Sequence, residues 1–84
     1  MPRNLTGKQA KFAVSVALGK SLADSYRAAY EPSNPTAVSV YSNARRTRKH
    51  PLVTRRIAEL QEILALLERL RTLVDAWKHK DRLH

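Results

Sequence analysis

The sequence predicts an all-α chain, three short helices followed by one long one. Apolar residues recur at spacings of three and four from Phe12 to Trp77, the period of a helix rather than the alternation of a strand. Helix-start residues precede or open each apolar stripe, at Thr6, Ser21, Asn34 and Pro51,. Nothing of strand length competes. Val38-Ser39-Val40-Tyr41 alternates, but only over four residues, and polar groups at helical spacing follow it.

Eighty-four residues make one small domain, or a small domain with one extended element,. The sequence has no cysteine to staple so small a core, so extra stability is expected from self-association or a bound partner. The start, MPRNLTGKQ, has no apolar segment of the kind a secretory signal needs,. No uninterrupted apolar run approaches the roughly 18 residues of a membrane span.

The charge is more informative. Sixteen Lys and Arg against seven Asp and Glu give a formal +9. Residues 1–50 hold nine basic and two acidic groups, and residues 51–84 hold seven and five, so the excess (+7 against +2) sits in the first part. Between Arg45 and Arg56 come Arg45, Arg46, Arg48, Lys49, Arg55 and Arg56 with no acid among them. Such a patch favours a polyanion, most simply a nucleic-acid backbone.

Residues 1–4 read as a loose arm. The first helix follows at Thr6-Gly7-Lys8-Gln9, a capping-box pattern in which the Thr and Gln side chains satisfy each other's backbone donors. Phe12, Ala13, Val16 and Ala17 form its apolar stripe, with Lys8 and Lys11 outside, and Gly19 suits its C-terminal stop,. Ser21 caps the second helix, with Asp24 in the first turn where the helix dipole favours negative charge,. Leu22, Ala23, Tyr26, Ala29 and Tyr30 supply its packing side. Glu31-Pro32-Ser33-Asn34-Pro35 then interrupts the helix twice, because a residue before proline is pushed out of the α region,.

The third helix is expected from Asn34 as cap and Pro35 as first helical residue, ending near Arg48 to His50,. At about 100° per residue, Ala37, Val40, Tyr41 and Ala44 fall on one side, for the core,. Thr36, Ser39, Ser42, Asn43 and Arg46 fall on the other. Two short helices, a tight turn and a third helix with a polar outer face describe a helix-turn-helix-like unit over residues 1–50, whose third helix enters a DNA major groove. The base-contact candidates are Thr36, Ser39, Asn43 and Arg46. Asn pairs with adenine and Arg with guanine, each for about 1–3 kcal/mol of discrimination. Lys8, Lys11, Arg27, Arg45, Arg48 and Lys49 are the phosphate-contact candidates, which position without specifying. For Arg45 and Arg48 the alternative is an ion pair with Asp24, Glu31 or Glu59.

Pro51 opens the last helix, which meets no breaker until about Arg82. Ile57, Leu60, Ile63, Leu64, Leu67, Leu70, Val74 and Trp77 form a wide apolar band on two overlapping seams. A two-stranded coil wants one narrow seam, whereas a wide band suits neighbours on both sides. Residues 51–84 are therefore expected to form an oligomerisation helix, with these eight side chains as its interface.

Several motifs now line up. Leu5-Thr6-x-Lys8-Gln9-x-x-Phe12, Ser25-Tyr26-Arg27-Ala28-Ala29-Tyr30, Ala37, Asn43-Ala44, His50-Pro51-x-Val53 and Arg56-Ile57-Ala58-Glu59-Leu60 resemble, in order and spacing, the small subunit of bacteriophage terminases. The likeness covers roughly residues 5–61. It implies a non-enzymatic packaging adaptor in the cytoplasm of an infected bacterial host. Such an adaptor binds viral double-stranded DNA, assembles into a homo-oligomeric ring, and presents the DNA to the terminase large subunit. The sequence departs from the pattern at Gly7, where proline is common, at Ala29, where glycine is frequent, and at His50, where asparagine is usual. It also ends soon after Trp77, where the family continues.

Other chemistries find little support. His50, His79 and His84 include no pair at i, i+4, and without cysteine no metal or other cofactor is expected,. No nucleophile–base–acid set stands out, and Tyr41 among Ala37, Val40 and Ala44 reads as core, so the chain is not expected to be an enzyme. Glu59, Glu62, Glu68 and Asp75 along the last helix would be repelled by anionic lipid, so no membrane partner is expected,. The competing functions are a dimeric helix-turn-helix transcriptional regulator and a helical scaffold with a basic face.

Overall fold

The computed structural model describes residues 4–33 and 36–82, which form four helices and no strand. Helix α1 (Gly7–Ala17) starts on a complete capping box. The Gln9 N–H donates to Thr6 Oγ1 at 3.1 Å, and the Thr6 N–H donates to Gln9 Oε1 at 3.0 Å. Gly19, at φ +96°, ends the helix. Its N–H donates to the Val16 carbonyl and the Lys20 N–H to that of Ser15, the paired bonds that close a helix through a left-handed glycine.

Helix α2 (Leu22–Tyr30) is capped by Ser21, whose hydroxyl accepts the Asp24 N–H at 3.1 Å. It stops at Glu31, which takes the left-handed conformation at φ 45° and ψ 58°. Helix α3 (Ala37–Lys49) is capped by Thr36, whose Oγ1 accepts the Ser39 N–H at 3.1 Å. This corrects the expected start. Asn34 and Pro35 lie outside the described residues, as does most of the expected arm, and the first helical residue is Ala37.

Helix α4 (Pro51–Arg82) follows after a single residue. His50 closes α3, its N–H donating to the Thr47 carbonyl at 3.1 Å, and opens α4, its own carbonyl accepting the Thr54 N–H at 2.9 Å. Its Nδ1 also accepts the Leu52 N–H at 3.2 Å, so the imidazole acts as an N-cap,. Thr54 braces the joint by donating its hydroxyl to the Arg48 carbonyl at 2.7 Å.

The core draws on all four helices. Phe12, Ala13, Ala44, Val53 and Ile57 are wholly buried and Ala29 nearly so, with Leu5, Val16, Leu22, Tyr26, Tyr30 and Leu60 packed around them. Alanines on α1, α2 and α3 let the helix backbones approach Phe12 and Ile57 closely. Ser25 is buried as well, its hydroxyl without a partner. It serves here as a small side chain.

Two expectations change. A division at residue 50 cuts through this core, since Val53 and Ile57 of α4 complete it. For the same reason Ile57, wholly buried, is an intramolecular packing residue rather than part of an oligomer interface, while Leu60 packs on the core and stays partly exposed.

Beyond Leu60, α4 leaves the bundle, and every residue from Gln61 to Lys80 is exposed. The Cα radius of gyration is 17.6 Å and the longest extent 60 Å. A compact chain of this length would have a radius of about 12 Å. The excess comes from the projecting arm.

Candidate nucleic-acid interface

Helix α3 carries four cations, Arg45, Arg46, Arg48 and Lys49, and no carboxylate. All lie toward its C-terminal end, where they complement the negative end of the helix dipole. The buried side is set by Val40, 1% exposed, and Ala44, with Asn43, Thr47 and Arg48 half-buried beside them. Thr47 turns its hydroxyl back to the Asn43 carbonyl at 2.8 Å, satisfying a donor that faces the bundle.

Tyr41 is not in the core. It is 55% exposed, and the Arg45 guanidinium lies over its ring, 5.7 Å from the centroid. The outward arc of α3 is therefore Val38, Tyr41, Ser42, Arg45, Arg46 and Lys49, all exposed. Relative to the expected face of Thr36, Ser39, Ser42, Asn43 and Arg46 it is turned by roughly one residue's 100° step.

The candidates are redistributed accordingly. Ser42, Arg45, Arg46 and Lys49 line one shallow concavity of about 340 Å³ on the α3 surface. Among the described residues none of these cations pairs with a carboxylate. Thr36 and Ser39 are exposed but occupied with each other, Thr36 Oγ1 donating to Ser39 Oγ at 2.8 Å in the cap. Asn43 lies at the edge of the buried side. Arg48 is turned into the α3–α4 joint, where its guanidinium donates to Thr54 Oγ1 at 3.3 Å.

Lys8, Lys11 and Arg27 sit on α1 and α2 and do not line the concavity. Arg27 pairs with Asp24 at 3.3 Å, and Lys8 lies over the Tyr30 ring at 5.9 Å. Tyr30 in turn stacks on Tyr26 with centroids 4.6 Å apart. Among the described residues the ion pairs considered for Arg45 and Arg48 with Asp24, Glu31 or Glu59 do not form; Asp24 pairs with Arg27, and Glu59 with Arg55 and Arg56. Val38, Tyr41 and Ser42 were absent from the sequence candidates. Their signal was legible all the same: 38, 41, 42, 45 and 49 form a single helical stripe.

The second feature is the arm. Ile63, Leu64, Leu66, Leu67, Leu70, Leu73, Val74 and Trp77 are each 36% to 68% exposed. Leu66 and Leu73, missing from the sequence band, complete its pattern. Residues 63, 66, 70, 73 and 77 step by three and four, and 63, 67, 70, 74 and 77 step by four and three. These are two heptad seams sharing Ile63, Leu70 and Trp77, each suited to one neighbouring helix.

Among the described residues no group of three or more His, Cys, Asp or Glu side chains could hold a metal ion. No helix there is long and apolar enough to cross a membrane. The chain was also compared with protein-family models, with curated proteins and with solved structures, and no match was found in any of the three.

Proposed function

We propose that this chain is a DNA-packaging adaptor of the terminase small-subunit kind. In this reading α2, the turn and α3 act as a helix-turn-helix-like unit that lays the outward arc of α3 in the major groove of double-stranded DNA. The cluster of Arg45, Arg46 and Lys49 around Ser42, unpaired with any carboxylate among the described residues, is the observation that carries this reading. Phosphate neutralisation by such side chains supplies essentially all of the non-specific affinity of a DNA-binding protein and a large share of the specific.

The arm supports the assembly half of the proposal. Exposed side chains on two seams leave room for a partner on either side of each helix, and repeated head-to-tail contacts of that kind form a ring where the rotation between copies closes. One protomer presents only a short basic stripe, so its grip is modest. Copies held together engage one DNA with a large gain in avidity. Presentation of the DNA to a large subunit rests on the motif resemblance of residues 5–61.

Native mass spectrometry tests the assembly. A closed ring of many copies supports the adaptor, and a stable dimer points to the transcriptional regulator instead.

A further inference from the structure

Val38 and Tyr41 are the two apolar side chains on the outward arc of α3, 78% and 55% exposed. They lie three residues apart, so they share one face of the helix. Both stand ahead of Arg45, Arg46 and Lys49 along the chain. Val40, between them, is almost wholly buried, so the core claims one valine of this helix and leaves the other to solvent. Single exposed apolar residues are ordinary. This pair is different in its setting, because it adjoins the cationic concavity and Arg45 lies across the Tyr41 ring.

Base edges in the major groove are mostly hydrogen-bond donors and acceptors, and the C5 methyl of thymine is their apolar group. A groove-reading helix contacts bases through its N-terminal residues, and that is where Val38 and Tyr41 lie. We infer that Val38 and Tyr41 contact thymine methyl groups in the major groove and give this helix a preference for thymine-containing duplexes. The inference rests on the duplex-binding reading above. Arg45 and Lys49 then face the phosphates beside the contacted bases.

Uracil lacks the methyl and keeps the hydrogen-bonding edge. Fluorescence anisotropy should therefore compare a duplex of alternating dA and dT with one of alternating dA and dU. The unaltered chain is expected to bind the thymine duplex about 4-fold more tightly for each methyl contacted, equivalent to about 0.8 kcal/mol per buried methyl. Val38→Ala and Tyr41→Ala should each shrink that ratio, and the double variant should bring it near one. Both side chains are exposed, and circular dichroism of the variants checks that their helices are kept. Lys49→Ala should weaken binding to both duplexes and preserve the ratio.

Equal affinity of the unaltered chain for the two duplexes would overturn the inference while leaving duplex binding in place. A ratio that survives in the double variant would overturn it too. Binding to neither duplex at low salt would remove the duplex reading itself, and the inference with it.

Discussion

The guanidinium of Arg45 lies over the ring of Tyr41, 5.7 Å from its centroid, on the solvent side of α3. An exposed cation–π contact is worth about 0.5–1 kcal/mol, too little to explain a tyrosine held outside the core. The pair belongs to a surface that faces outward with Ser42, Arg46 and Lys49. Arg45→Ala is therefore expected to cost at most about 1 kcal/mol of folding stability, and to weaken duplex binding for all sequences alike. Arg46→Ala should instead relax sequence preference. Identical binding profiles for the two variants would contradict this division of roles.

His50 caps α4 with a ring nitrogen, accepting the Leu52 N–H at 3.2 Å. His50→Ala should cost about 0.5–2 kcal/mol, the usual loss on removing an N-cap acceptor. His50→Asn should retain or improve stability, since the amide oxygen supplies the same acceptor. Urea unfolding of the two variants checks this, and an Ala variant as stable as the parent would refute the capping role.

Much of this architecture was legible in the sequence. Thr6 with Gln9, Ser21 with Asp24, Gly19, and Pro51 each name a helix boundary through a local hydrogen bond or a backbone restriction, and local effects do not depend on the rest of the fold. The face of α3 was less legible. Tyr41 joins Ala37, Val40 and Ala44 by spacing alone, yet which flank of a helix is covered depends on its neighbours. Here α3 packs on α2 and α4 with Val40 and Ala44 buried, Thr47 half-buried and Tyr41 outside. Ile57 was misplaced for a related reason. One continuous apolar band runs along α4, and only the burial of Val53 and Ile57, in its first turns, in one core with Phe12 shows where core ends and arm begins.

Glu31 holds the left-handed conformation at φ 45° that ends α2. That conformation costs a side chain about 1–2 kcal/mol, more than the roughly 0.5–1 kcal/mol of extra entropy a glycine loses. Glu31→Gly should raise stability by up to about 1 kcal/mol, read as a higher urea midpoint with an unchanged slope. A lower midpoint would contradict this reading of the turn.

Ile57 and Leu67 lie on the same helix with opposite fates, the first wholly buried and the second 56% exposed. Ile57→Ala should lower folding stability by about 2–5 kcal/mol through a core cavity. Leu67→Asp should leave the bundle folded and reduce the oligomeric mass. Circular dichroism with native mass spectrometry separates the two effects, and an unchanged mass for Leu67→Asp would exclude the exposed band as the assembly surface.

The central claim is that Arg45 and Lys49, on the outward arc of α3, bind the phosphates of double-stranded DNA. The most direct measurement is the dependence of duplex affinity on salt concentration, for the parent chain and for Arg45→Ala combined with Lys49→Ala. The parent should lose affinity steeply as salt rises, and the double variant should show a logarithmic slope shallower by about 0.9 for each phosphate contact removed. Affinity that does not change with salt, or a slope identical in both proteins, would contradict the claim.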